Sequence, residues 1–124
     1  MRSLLAPVLL LACTAPALAD LEQAKALCAD SSAPAEERAP ACASVLAGDA
    51  LQADERLDAQ WDLAEALMDL ERHAEAIAAY DAAIALAPEK AALYRRRGMA
   101  KTLVKDYGGA LADFDQAIVL DPLD

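Results

Sequence analysis

Apolar side chains recur at intervals of three and four along most of this chain and seldom alternate, which is a helical pattern. Leu21, Ala24, Leu27 and Cys28 share one face between Asp20 and Ala29, with acids in the first turn, where the helix dipole favours them. Asp30-Ser31-Ser32-Ala33-Pro34 reads as a turn offering several N-caps. A second helix is expected over 35–47, ended by Gly48. Pro40 falls inside it and removes a backbone hydrogen bond, which predicts a late start or a kink. Residues 51–56 read as a polar connector or the beginning of the next helix. Trp61, Leu63, Ala64, Leu67 and Met68 then form an amphipathic stripe over 59–70. Glu71-Arg72 turns the chain into a helix over 73–87, stopped at Pro88. A further helix over 91–104, a turn at Lys105-Asp106, and a last helix opened by Gly108 or Gly109 and ending near Leu120 complete the series. The expected fold is all-α: six helices in three antiparallel hairpins.

The last four helices also repeat one another. Pro88 and Pro122 stand 34 residues apart, and the same offset relates Ala76 to Ala110, Ile77 to Leu111, Tyr80 to Phe114, and Ala83-Ile84 to Ala117-Ile118. A period of this length marks a helix–turn–helix repeat array. Such arrays stack each unit on its neighbours and present extended binding surfaces rather than catalytic pockets.

Composition narrows the class. The 124 residues allow one small domain, and four glycines and 4% aromatic residues disfavour an all-β fold. Residues 1–19 stand apart from that domain. Arg2, an apolar run from Leu4 to Ala12, and the small-x-small site Ala17-Leu18-Ala19 read as a secretory signal peptide. The run is too short to span a bilayer, so no integral membrane span is expected. A rival reading takes Leu10-Leu11-Ala12-Cys13 as a lipoprotein box with a lipid anchor at Cys13, although Leu is a poor fit at its second position. Export, most simply to the periplasm of a Gram-negative bacterium, is the primary expectation, and lipid anchoring to the envelope is the alternative.

The whole chain carries a net charge of −10. Losing the leader removes one base and no acid, leaving ten bases against 21 acids, a net of −11. That balance disfavours nucleic acid, whose phosphates need Lys and Arg. The charge is uneven: residues 20–71 hold thirteen acids and three bases, residues 72–124 eight acids and seven bases. Beyond the leader two cysteines remain, Cys28 and Cys42. In an oxidising compartment they are expected to form a structural disulfide, since their spacing is not that of a redox Cys-x-x-Cys. Closing a loop of this length stabilises by about 3 kcal/mol in the chain-entropy model.

With these residues in place the chain resembles the tetratricopeptide repeat family. Counting from Leu57, Ala64, Ala76 and Ala83 fall where that pattern has small residues, Tyr80 where it has an aromatic and Pro88 where it ends. Counting from Ala91, Gly98, Ala110, Phe114, Ala117 and Pro122 do the same, and Tyr94 and Tyr107 fill two further aromatic positions. The first copy departs at Gln60, with Trp61 beside it, and at His73. Residues 57–90 and 91–124 are therefore read as two repeats. Residues 20–56 match weakly. Cys42 lies one repeat plus four residues before Tyr80, so 20–47 is read as a degenerate hairpin in which the cysteine pair replaces the aromatic contact. It resembles cysteine-bearing segments that precede the repeats of exported bacterial proteins. It also brings the stack to the roughly three units such arrays need.

The resemblance implies that the first helix of each hairpin lines a concave groove. Asp58, Trp61, Asp62, Glu65, Met68 and Asp69 come from one copy, and Ala92, Arg95, Arg96, Met99, Thr102 and Leu103 from the other. A Trp and two Met among charges suit peptide capture. The competing reading packs Trp61 into the core against the 35–47 helix. Arg95 and Arg96 either grip a partner carboxylate or pair with Asp62, Glu65 or Asp69, while Arg97 caps or snorkels. Chaperone-type relatives bind a terminal carboxylate through groove Lys and Asn. Trp61 and Glu65 stand there instead, so that activity is not implied. His73 is the single histidine and has no nucleophile or base at telling spacing. Asp62, Glu65 and Asp69 share a face that reads either as a hard-cation site or, more simply, as a solvated acidic surface. No enzyme, metal or cofactor is expected. The expectation is a non-catalytic scaffold or adaptor with a protein or peptide partner. The alternative is self-assembly or a homodimer through the final hairpin, where Asp113, Gln116 and Asp121 replace Ala79, Ala82 and Ala87 as a partial polar cap.

Overall fold

A computed structural model describes residues 18–123. The apolar leader run and Cys13 lie outside them. The described residues form six helices: α1 (Leu18–Ala29), α2 (Ala35–Leu46), α3 (Ala53–Asp69), α4 (His73–Leu86), α5 (Ala91–Leu103) and α6 (Tyr107–Leu120). Each packs on the next, giving hairpins α1/α2, α3/α4 and α5/α6, and α1 also reaches α3. None is long and apolar enough to cross a membrane.

Local detail sets three of the helix starts. Helix α2 starts at Ala35, not late: Pro40 lies on its exposed side, where a lost backbone bond costs least. Helix α3 begins at Ala53, ahead of the apolar stripe, so residues from 53 on are the beginning of this helix and not a connector. The backbone N–H of Gln52 donates to the Glu55 carboxylate at 3.1 Å, half of a capping box built on a residue seldom read as a cap. Helix α6 opens at Tyr107 because the Asp106 carboxylate accepts from the Gly109 N–H at 3.0 Å. The two glycines thus sit inside its first turn, and a Cβ on Gly109 would collide with that carboxylate.

The repeat extends into the backbone. Glu71 and Lys105, one period apart, are the positive-φ residues, at 58° and 66°. Each closes a Schellman turn: Arg72 N–H donates to Leu67 O at 2.9 Å, and Asp106 N–H to Lys101 O at 2.8 Å.

Small residues set how closely the helices approach. Ala64, Ala76 and Ala83 are fully buried around Tyr80, which is itself completely enclosed. A Cβ on Gly98 would stand 2.8 Å from the Phe114 ring, so the second hairpin closes only with glycine there. Leu67, Tyr80, Leu93 and Ala100 belong to one core; Cys28, Cys42, Val45 and Ala59 form a second, and Leu63 touches both. The Cys28 and Cys42 sulfurs lie 2.06 Å apart, and Cys42 is fully buried.

Candidate functional site

One face of α3 carries Asp58, Trp61, Asp62, Glu65, Met68 and Asp69 as a helical stripe. Trp61 is half-buried and meets Tyr80 of α4 edge-on, with ring centroids 6.2 Å apart. Its ring partner thus comes from its own hairpin and not from α2. The same indole lines a cavity of about 280 Å³ with Leu57, Asp58, Lys90 and Ala92, at the approach of α3 to the start of α5. Asp58 is exposed and also borders a second, smaller cavity of about 150 Å³. The floor of that cavity includes Cys28, Val45, Leu51 and Ala59, and Glu55 and Asp62 stand with Asp58 as its acids.

The acids of this stripe differ in what answers them. Burial and then the neighbouring Asp58 carboxylate push the Asp62 carboxyl above the usual range; Arg38 pulls it partly back, and Glu65 adds the smallest push. Tyr80 donates its hydroxyl proton in a short hydrogen bond to Glu65 Oε1. Burial first, and that carboxylate second, raise the Tyr80 phenol well above its ordinary value. Arg96 Nε lies 3.6 Å from the same Glu65 oxygen, so one of the anticipated cross-groove pairs forms. The others do not. Asp69 is held by Arg38 of α2 at 2.7 Å. Arg97 donates to Asp81 of α4 at 2.7 Å and to both carboxylate oxygens of Asp113 of α6 at 2.7 and 2.9 Å.

Asp113 therefore corrects the reading of the last helix. It was expected on the outer side as part of a polar cap, but it is 4% exposed. Burial alone would raise its carboxyl, but Arg97 and Lys101, the latter at 3.1 Å, outweigh burial and hold it below the usual carboxylate range. Arg38 is the other functional-looking charge that sequence reasoning missed. It is buried, and its Nε has no hydrogen-bond partner. An arginine among alanines in α2 was the available signal.

Met68 packs half-buried against the main core, whereas Met99 is 43% exposed. Arg95 is half-buried and borders a cavity with Phe114, separate from that of Trp61. The structure thus brings Asp58, Trp61 and Asp62 around the α3 cavities and joins Glu65 to Arg96; Asp69, Arg95 and Met99 stand apart. His73 is half-buried, and its Nδ1 has no hydrogen-bond partner. Among the described residues, no group of three or more His, Cys, Asp or Glu side chains is placed to hold a metal ion. A larger cavity, about 560 Å³, lies on another face, where alanines of α2 and α4 line it with Leu63 and Leu67.

A family model described as Tetratricopeptide repeat matches residues 43–91 and, in a second overlapping placement, residues 61–124. No curated protein matches the chain.

Proposed function

The chain belongs to the tetratricopeptide repeat family, and from that premise we propose that it is an exported, non-catalytic adaptor of a bacterial envelope. In this reading it works in the periplasm without metal or cofactor and holds a protein or peptide partner along α3. Residues 57–90 and 91–124 are its two repeats, and residues 20–56 a cysteine-stapled unit that completes the stack. The family's fold is one that generally serves protein interaction. Export is supported by the basic start, apolar run and Ala17-Leu18-Ala19 site of the leader. An oxidising compartment is supported by two cysteine sulfurs at disulfide distance.

The observation that carries the reading is Trp61. A half-buried indole that packs on Tyr80 with one edge and lines a cavity beside Asp58 is a rigid anchor of the kind that dominates interfaces. Acid crowding at Asp62, only partly offset by Arg38, favours a partner segment that brings a cation together with an apolar side chain. The test is a pull-down from an envelope fraction, followed through the emission of the single tryptophan. A recovered partner should shift that emission, and Asp58→Lys should weaken binding about tenfold by reversing a charge beside the anchor. Recovery of nothing, with unchanged emission, contradicts the reading.

A second reading is self-assembly through the final hairpin. It is favoured by the exposure of Leu111 and Ile118, and a monomeric mass at high concentration would exclude it.

A further inference from the structure

The repeat supplies its own template for what covers a hairpin. Leu70, Ile77 and Ile84 pack against the main core, and α4 is covered by α5. Leu93 of α5 is fully buried in the core that contains Tyr80, Ala83 and Ala87. Four residues on, Arg97 reaches Asp81 on α4 at 2.7 Å. The covering helix thus presents a leucine and an arginine one turn apart to an apolar seat with one carboxylate on it.

One period later the same seat recurs, and among the described residues no further helix packs over it. Val104, Leu111 and Ile118 take the places of Leu70, Ile77 and Ile84, and they are 42%, 62% and 57% exposed. Phe114, Ala117 and Ile118 border an open cavity of about 160 Å³ with Arg95 and Asp121; Phe114 is half-buried and Asp121 exposed, where their counterparts Tyr80 and Ala87 are buried. Asp115 repeats Asp81 and is exposed. It lies four residues after Leu111 and three before Ile118, on the same face of α6. Among the described residues, no large apolar side chain between 20 and 85 is exposed to this degree.

We propose that this surface docks a helix of a partner protein whose contact face carries leucine and arginine four residues apart, the chemistry that α5 itself shows to α4. The surface is distinct from the Trp61 cavity, so the two sites fail or stand separately. Charge chooses the occupant. Asp115 sits in the middle of the apolar stripe, where a basic side chain answers it. A symmetric pair of copies would bring Asp115 towards its own counterpart across the axis and leave it unanswered. The cavity takes one branched apolar side chain, as the core at Tyr80 takes Leu93.

The probe is a synthetic peptide of residues 89–104 with blocked ends, titrated into the full chain and read by fluorescence anisotropy. Saturable binding is expected. Leu93→Ser in the peptide, which leaves its charge intact, should weaken it at least about tenfold. Asp115→Arg in the protein should weaken the native peptide about three- to tenfold and favour a peptide carrying Arg97→Glu, restoring affinity to within about threefold of the native pair. Asp115 is exposed, so this variant should keep its fold, and circular dichroism checks it. Asp58→Lys should leave peptide binding unchanged. Equal binding of the Leu93→Ser peptide would show attraction by charge alone and overturn the proposal. So would absence of binding at millimolar peptide, or a full-chain dimer that buries Leu111 and Ile118 and that the peptide does not displace.

Discussion

Hairpins α3/α4 and α5/α6 share a period, a pair of left-handed turns and a proline end, yet they fill one set of positions with opposite chemistry. Leu63, Leu67 and Ala79 meet between α3 and α4 as apolar packing. One period later these are Arg97, Lys101 and Asp113, an ion cluster of which Asp113 is almost wholly buried. The first hairpin is flanked on both sides, by α2 and by α5, while the second is flanked by α4. A site between two neighbours stays dry and rewards apolar contact. A site at the end of the described stack keeps Arg97 and Lys101 partly in water, where their charge is cheap to hold and Asp113 is what they neutralise. The repeat conserves geometry; the neighbours decide the chemistry.

The largest expected effect tests how much a neighbour adds. Tyr80→Ala should cost about 3–5 kcal/mol, and Phe114→Ala visibly less, because Tyr80 is enclosed and Phe114 half-buried. Urea unfolding of both variants checks this, and equal losses would break the contrast. Next is the ion cluster. Asp113→Ala alone should destabilise by about 1–3 kcal/mol, as it takes away the Lys101 partner and leaves Arg97 with Asp81 alone. Replacing all three with the first hairpin's residues (Arg97→Leu, Lys101→Leu, Asp113→Ala) should come within about 1 kcal/mol of the parent or exceed it. Thermal melts of the single and triple variants separate these outcomes.

Acid should act on the two regions with opposite sign. The folded carboxyl of Asp113 lies below its unfolded value, so its stabilisation is full above the unfolded value and is lost as pH falls through the folded one. Asp62 is raised on folding, so it costs stability at neutral pH, and that cost fades as pH falls through its raised value. Asp62→Asn should therefore stabilise at pH 7 and lose that advantage in acid, whereas the deficit of Asp113→Asn should shrink in acid. The smallest effect concerns the turns. Glu71→Gly and Lys105→Gly each relieve a left-handed residue, and each should stabilise by about 0.5–1 kcal/mol.

What was legible in the chain follows the same division. The spacing of alanines, Tyr80 and Phe114 placed the hairpins, because helix–helix approach depends on residues of the hairpin itself. The beginning of α3 was left open between connector and helix, and that of α6 was set just past Tyr107, because Glu55 and Asp106 accept capping hydrogen bonds that periodicity does not report. Asp113 and Arg38 read as surface residues by type, and their burial depends on partners sixteen and thirty-one residues away. Trp61 was balanced between groove and core; the structure sets one edge of its ring on Tyr80 and the ring beside an open cavity.

The claim that this is an adaptor working through the Trp61 face of α3 is tested most directly by photo-crosslinking in living cells. A photoreactive side chain is placed at Asp58, beside the tryptophan, and in a parallel strain at Ala78, exposed on the face bearing the larger, alanine-lined cavity. The account predicts a discrete protein adduct from position 58 in the envelope fraction and none of that mass from position 78. The same adducts from both positions, or none from 58, would contradict it.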